Sequence, residues 1–250
     1  MISVHKVIVR LNRYLSMCGI ASRRRADEIV RVGGVRVNGL VVKELGHRID
    51  TEKDTIDVGG EIIRPQKKRY IVLNKPPLYL TTLKQEGKKR TIRELIKDIP
   101  ERVYPVGRLD YDTEGLLILT NDGEIANAII HPRYKMPKVY VALVKGRVER
   151  KTLEEMIKGT RLEDGFAKPD HVEIIKYEAQ NTLVEITFHE GRNRLVKRFL
   201  LKFDHPVLKL KRIAVGPVKL GALPRGRWRD MTDEELKILD RGTLQCAPTS

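Results

Sequence analysis

The sequence predicts a chain of mixed helices and strands folded as two domains, and three observations predict it. Its 250 residues are 41% apolar, enough to bury one substantial core and a second, smaller one. The N-terminal stretch reads as two short helices followed by a hairpin. From Tyr70 onward, short apolar or alternating strands outnumber helices.

In the first stretch, Val9, Leu11, Tyr14, Leu15 and Cys18 fall on one side of a helix that Gly19 can end. Ser22 is placed to cap a second helix carrying Ala26, Ile29 and Val30 on its apolar side, and Gly33-Gly34 ends it. Val35 to Val42 then alternates about Asn38-Gly39, the strongest short hairpin signal. This gives a compact unit over residues 1–62. The polar, basic run Ile63 to Arg69 is the expected linker.

The larger domain, expected over 70–240, opens with Tyr70 to Lys75, a buried strand stopped by Pro76-Pro77. Thr91 to Asp98 has the spacing of a short helix. Leu116 to Leu119 is a short apolar element entered from a loop, and Glu124 to Ile130 a helix ended by His131-Pro132. Pro137 to Val144 alternates as a strand, Lys151 to Gly159 is an amphipathic helix, and Val172 to Lys176 and Thr182 to Phe188 are strands about a polar turn. Thr232 caps a last short helix, and residues 241–250 read as a disordered tail.

A formal charge of +16 and a pI near 9.9 point to a polyanionic partner. High charge also occurs on solvated thermophile surfaces, so its distribution matters. From Arg192 to Arg229 there are twelve Lys and Arg against one acid, Asp204. Residues 1–69 hold fifteen basic and eight acidic residues, a net +7. Such clustering favours nucleic acid. No run of eighteen apolar residues exists, which speaks against a membrane partner and leaves the cytoplasm as the expected compartment. Cys18 and Cys246 make neither a disulfide framework nor a zinc site, and the six His lack ligand spacing, so no metal and no cofactor is expected.

The centre of the chain is Gly107 to Gly123, GRLDYDTEGLLILTNDG, with Asp110, Asp112 and Asp122 beside the apolar run. Three readings apply. Aspartates near glycine commonly only solvate turns. Asp110-x-Asp112-x-Glu114-Gly115 begins like a calcium loop, but the twelfth position is Asn121 rather than Glu. In the third reading, the stretch resembles the signature of the pseudouridine synthases of the ribosomal RNA branch, whose catalytic residue is the Asp of GRLD, here Asp110.

Other motifs extend the resemblance from about Arg10 to Leu239. Asn74-Lys75-Pro76-Pro77 is similar to the family's first motif, with Leu78 where the family usually has Gly. Lys138-x-Tyr140 resembles its base-stacking tyrosine. Gly191-Arg192-Asn193-Arg194-Leu195-Val196-Lys197-Arg198-Phe199 resembles its third motif, with Leu195 for Gln, Lys197 for Arg and Phe199 for Met. SRRRADEIVRVGGVRVNG resembles the S4-type RNA-binding domain, with Arg10, Arg13, Arg23, Arg24, Arg25, Arg31 and Arg36 on its polar face.

The resemblance implies an α+β fold: a pseudouridine synthase fold with a mixed, mainly antiparallel central sheet, plus a small N-terminal α/β RNA-binding domain. It also implies the roles of the site residues. Asp110 would act as nucleophile or base, Tyr140 would stack on the base, and Lys197 would pair with Asp110. Arg192, Arg194 and Leu210 would bind the target nucleotide, Leu210 being ordinary core in the other reading. Arg108 would clamp phosphate or fill the vacated gap, or else form an ion pair with Asp112 or Glu114; Asp112 and Asp122 are assigned to turns. Uridine isomerisation needs no redox agent, metal or phosphate donor, in keeping with a chain that shows no phosphate loop. The implied partner is ribosomal RNA, more in the large-subunit (23S) than the small-subunit (16S) pattern, met free or in ribosome-assembly intermediates by a monomer. A non-catalytic RNA-binding assembly protein on the same fold is the alternative; Asp110, Tyr140 and Lys197 all being present argues against it.

Overall fold

The structure, a computed structural model, describes the backbone of residues 8–245 and side chains as far as Leu239. It divides into two compact units, Met1–Lys68 and Arg69–Ser250.

The first unit contains β1 (Ile8–Arg10), α1 (Leu11–Met17), α2 (Arg23–Arg31), β2 (Val35–Val37), β3 (Leu40–Val41), β4 (Arg48–Asp50), β5 (Ile56–Val58) and β6 (Glu61–Ile62). Ser22 caps α2 by accepting from the Arg25 amide. Asn38 and Gly39 both have positive φ, 51° and 81°, as the tight turn between β2 and β3 requires. Leu11, Tyr14, Leu15, Ala26, Val30, Val35, Ile49 and Ile56 close the core. Two expectations change. Residues 8–10 pair as a strand with β4, so the first helix starts at Leu11. The expected linker is tied down over its first part: Ile63 packs on this core, Tyr14 donates to the Ile63 carbonyl, and the Gln66 amide donates to Met17 O.

The second unit holds β7 (Tyr70–Lys75), β8 (Tyr104–Val106), β9 (Glu114–Thr120), α3 (Gly123–Ile130), β10 (Lys138–Lys145), α4 (Arg150–Lys158), β11 (Thr160–Leu162), β12 (Gly165–Ala167), β13 (His171–Glu178), β14 (Asn181–Phe188), α5 (Leu195–Leu201), β15 (Val207–Val215), β16 (Val218–Lys219), β17 (Trp228–Asp230) and α6 (Asp233–Gln245). One mixed, mainly antiparallel sheet runs β13-β14-β10-β15-β9-β7-β17. This is the expected α+β architecture. The expected helix over 91–98 is only a 3-10 turn, Ile92–Leu95, because Ile92, Ile96 and Ile99 are all drawn into the core beneath β7 and β9. The last helix runs to Gln245, five residues into the expected tail. It is anchored where Leu236 and Leu239 meet the core under α3, and the remaining tail lies outside the described residues.

The order of strands creates a fork. β9 pairs antiparallel with β7 along one edge. Its other edge is shared: Glu114 and Gly115 run parallel to β15, whereas Ile118 to Thr120 pair with β8. The loop Gly107 to Thr113 joins β8 to β9 and so starts and ends beside this fork, where two strands part. Gly115 makes the crossing possible, since a Cβ there would lie 2.2 Å from the Arg212 carbonyl oxygen.

Candidate active site

The loop bearing Asp110 is fixed from two sides by groups buried in the second unit. Thr81, itself buried, donates from Oγ1 to Leu109 O at 2.7 Å and accepts from the Leu109 amide at 3.2 Å. Leu109 is thereby pinned as a core residue, and Asp110 next to it is turned outward. On the other side Lys75, fully buried, donates from Nζ to Pro76 O and Thr113 O at 2.9 Å and to Tyr111 O at 3.5 Å. Burial lowers its pKa to about 8, against the opposing charges of Asp112, Asp110 and Glu114. The Leu78 amide adds a 2.6 Å bond to Tyr111 O. Leu78 has φ of 65°, so the backbone keeps a left-handed conformation suited to glycine although the side chain is leucine.

Lys197 lies on α5, whose opposite side is core. Leu195, Val196, Phe199 and Leu200 are buried, and Phe199 packs edge-on against Phe188 with centroids 5.3 Å apart. The Leu195 and Phe199 departures from the motif thus fall on the packing side. Lys197 Nζ sits 3.8 Å from Asp110 Oδ2, but 2.5 Å from Asp112 Oδ1. Asp112 sits in a turn as expected, but its carboxylate does more than serve that turn: it is the lysine's nearer partner, because the i+2 spacing brings both aspartates to the same cation. Burial pulls the Asp112 carboxyl up, yet the hydrogen bond and charge of Lys197 outweigh it and hold it below the ordinary carboxylate range. Asp122 does cap a turn; it accepts from the Glu124 amide at the start of α3 and from the Tyr70 hydroxyl.

Asp110 and Tyr140 line one cavity of about 510 Å³, together with Leu210, Arg108, Arg194 and Leu195. Tyr140 is half-buried on β10 and packs against the core; Leu210 is buried opposite Ala142 on β15. Arg108 and Arg194 are exposed at the cavity, and Arg194 takes a left-handed backbone that starts α5. Arg108 makes no ion pair with the neighbouring acids, since Glu114 pairs with Arg225 and Asp112 with Lys197.

Arg192 behaves differently from its expected role. Its guanidinium donates to both oxygens of Glu190 at 2.8 Å, to Asp164 Oδ1 at 2.9 Å and to Phe166 O at 3.0 Å. Asp164 also accepts from Arg198. It lines the same cavity as Asp110, but its hydrogen bonds are committed to clamping the β11-β12 hairpin to the start of α5. Glu190 lies only two residues away in chain, but Asp164 lies 28 residues away and is invisible locally.

Three lining residues were not foreseen. Lys138 Nζ donates to Met136 O and His189 O, and burial, then the nearby Arg212 charge, lower its pKa to about 8. Arg212, 5% exposed, donates from Nε to Leu116 O at 2.8 Å. His189 Nδ1 lies 2.7 Å from Asp170 Oδ1 at the rim. Lys138 was in view only as the first residue of Lys138-x-Tyr140, and the only signal for Arg212 was charge inside an otherwise apolar strand. Outside the cavity, β13 and β14 bring ligand atoms of His171, Glu173 and Glu185 within 4.8 Å of one another, on an exposed face remote in chain from the Asp110 loop.

In the first unit Arg10, Arg13, Arg23, Arg24, Arg25 and Arg36 are all exposed, with Arg25 paired to Glu28. Among the described residues no helix is long and apolar enough to cross a membrane.

Residues 69–202 match the RNA pseudouridylate synthase family and residues 9–56 the S4 domain. The chain is 61% identical over 232 residues to a protein of Aquifex aeolicus (strain VF5) described as an uncharacterized RNA pseudouridine synthase, covering 92% of this chain and 93% of that one. It is 40% identical over 232 residues to the ribosomal large subunit pseudouridine synthase B of Bacillus subtilis (strain 168), covering 92% and 95%. A crystal structure of a pseudouridylate synthase superposes with a TM-score of 0.65 at 30% identity, covering 92% of this chain and 99% of that one. By the family match across the second unit and by these full-length relatives, the chain belongs to the RNA pseudouridine synthases.

Proposed function

We propose that this enzyme isomerises a uridine of large-subunit ribosomal RNA, with Asp110 as its catalytic carboxylate. The observation that carries the reading is Asp110 itself: an outward carboxylate on a doubly tethered loop, lining a cavity with Tyr140 and Leu210 and 3.8 Å from Lys197. Uridine in a helix or stack hides its reacting atoms, so the nucleotide flips into the cavity at a cost of a few kcal/mol. Stacking on Tyr140 offsets that by about 1–3 kcal/mol. Leu210 packs the base from the sheet, Arg108 and Arg194 take phosphate or fill the vacated stack, and the exposed arginines of the first unit hold flanking RNA. Arg192 acts here by holding the Gly191–Arg194 loop in place. One chain supplies every one of these groups, in keeping with a monomer. The large-subunit target is supported by the name of the Bacillus subtilis relative.

Asp110→Asn keeps the size of the side chain and removes the ionised oxygen. It is expected to abolish pseudouridine formation in transcribed ribosomal RNA, mapped by a pseudouridine-specific chemical reaction, with RNA affinity within a few fold of the parent. Appreciable turnover by the purified variant would sink the assignment.

A further inference from the structure

Arg212 is out of place for a surface-seeking side chain. It is 5% exposed, lines the same cavity as Asp110 and Tyr140, and lies directly opposite Tyr140 in the β10-β15 register. Only Nε has a partner, Leu116 O; among the described residues the two Nη groups have none, and no carboxylate pairs with the guanidinium. Another cation of the same strand pair, Lys138, lines the cavity too; its hydrogen bonds go to carbonyl oxygens, with Asp170 the opposing charge nearby. A buried cation without a counter-charge is costly unless something anionic visits it. The single fixed bond at Nε sets the plane of the guanidinium and leaves its fork of Nη donors for that visitor.

We propose that Arg212 is a further catalytic residue: its Nη donors receive the negative charge that develops on the carbonyl oxygens of the flipped uracil. The inference rests on the pseudouridine-forming role assigned to this cavity. It holds for every way Asp110 can act. If the carboxylate displaces the base at C1′, the C1′–N1 electron pair leaves with uracil and spreads from N1 to O2 and O4. If it removes the C2′ proton, the elimination breaks the same bond and releases the same anion. If it adds to C6, the ring π electrons move to O4. In the first route C5 then displaces the carboxylate from C1′; in the second C5 bonds to C1′ as the carboxyl returns its proton to C2′; in the third C1′ passes from N1 to C5, and loss of the C5 proton expels the carboxylate from C6. In each the C5 proton is lost and N1 gains one, so the product is an isomer and no co-reactant is needed. The phosphates of a flipped nucleotide remain at the rim, where Arg108 and Arg194 are exposed, whereas a residue as deep as Arg212 is reached by the base.

The test compares parent, Arg212→Gln and Arg212→Lys on large-subunit ribosomal RNA transcribed with uridine or with 5-fluorouridine. Single-turnover loss of the target nucleoside is followed by nuclease digestion and chromatography. Fluorine at C5 blocks the final proton loss but not glycosidic cleavage, and it withdraws electrons from the ring, so the base itself carries more of the charge. Arg212→Gln is expected to slow loss of uridine by about 10²-fold or more, as for one preorganised donor to a developing anion. On 5-fluorouridine the deficit shrinks several-fold, and Arg212→Lys shows the same trend with a smaller deficit. Because Nε also bridges β15 to β9, a Gln variant that fails to fold leaves Arg212→Lys to carry the comparison. Equal deficits on both bases would overturn the proposal and make Arg212 a packing residue. Parent enzyme that leaves uridine unconverted would instead overturn the assigned function, and this inference with it.

Discussion

Replacing Asp112 with Asn removes one of two carboxylates that share Lys197, and the structure sets the size of the effect. The lysine is 2.5 Å from Asp112 and 3.8 Å from Asp110, and Asp112 is 63% exposed while Lys197 is 13% exposed. So exposed a partner stabilises the fold by no more than about 1 kcal/mol, which for a domain of this size lowers Tm by about 2–4 °C. The catalytic consequence is separate. Freed from Asp112, the ammonium is drawn fully onto Asp110; at 3.8 Å and an effective dielectric near 20 the attraction is roughly 4 kcal/mol. Solvent at the 35% exposed Asp110 cuts this to about 1 kcal/mol. A carboxylate held tighter in its ground state is a poorer nucleophile, so kcat should fall by about five- to tenfold with KM nearly unchanged. Single-turnover rates at saturating RNA measure it. A loss beyond about a thousandfold would refute the reasoning, because Asp112 rather than Asp110 would then be doing the chemistry; an unchanged rate would mean that sharing the lysine does not tune Asp110.

Leu78→Gly relieves a left-handed leucine, φ 65°, worth about 1–2 kcal/mol, less the 0.5–1 kcal/mol entropic cost of glycine, roughly. Leu78 is 57% exposed and loses little burial, so urea unfolding should show a small gain in stability; a loss would mean that its side chain anchors the turn. Lys75 and Lys138 have folded pKa values near 8, below the unfolded 10.5, so between those values the unfolded chain holds more protons and stability should rise as pH goes from 8 to 10.5. Lys75 alone accounts for roughly 3 kcal/mol of that rise, and the slope should flatten in Lys75→Met; an unchanged slope would show that the lysine is not desolvated in solution. Arg24→Gln, an exposed arginine of the first unit, should weaken RNA binding and reduce the slope of log affinity against log salt by about one. Equal slopes would mean that this face does not meet phosphate.

Much of the fold was legible because its signals are local. The Asn38-Gly39 turn and the Ser22 cap announce themselves within a few residues and form as read, while the apolar run Leu116 to Leu119, equally readable as strand or helix core, forms a strand. The site was legible only as far as its motif. Lys75 reads as an ordinary strand-end charge until the chain 38 residues on supplies Thr113 O, and Lys197 finds Asp112 across 85 residues. Arg212 was hidden for a further reason. In Val207 to Val215 Lys211 and Arg212 stand side by side and strand alternation sends them to opposite faces, but β15 is offset from β10 by irregularities between Val139 and Tyr140 and between Leu143 and Val144, and the local pattern does not reveal which of the two turns inward.

The tethers and the cavity floor are joined through one strand crossing, which explains why glycine stands there. Gly115 lets β9 approach β15 so closely that any Cβ would meet the Arg212 backbone, at 2.8 Å from its nitrogen and 2.2 Å from its carbonyl oxygen. That approach puts Leu116 O within reach of Arg212 Nε. It also fixes where β9 begins, and therefore where Thr113 offers the carbonyl that Lys75 binds. A side chain at 115 would push the strands apart and shift two things together: the orientation of the buried guanidinium and the seat of the loop that presents Asp110. Because φ at Gly115 is 106°, an L residue would also strain the backbone. The carboxylate and the buried cation are thus set by the same few atoms, so their spacing across the cavity is a property of the sheet rather than of a flexible loop.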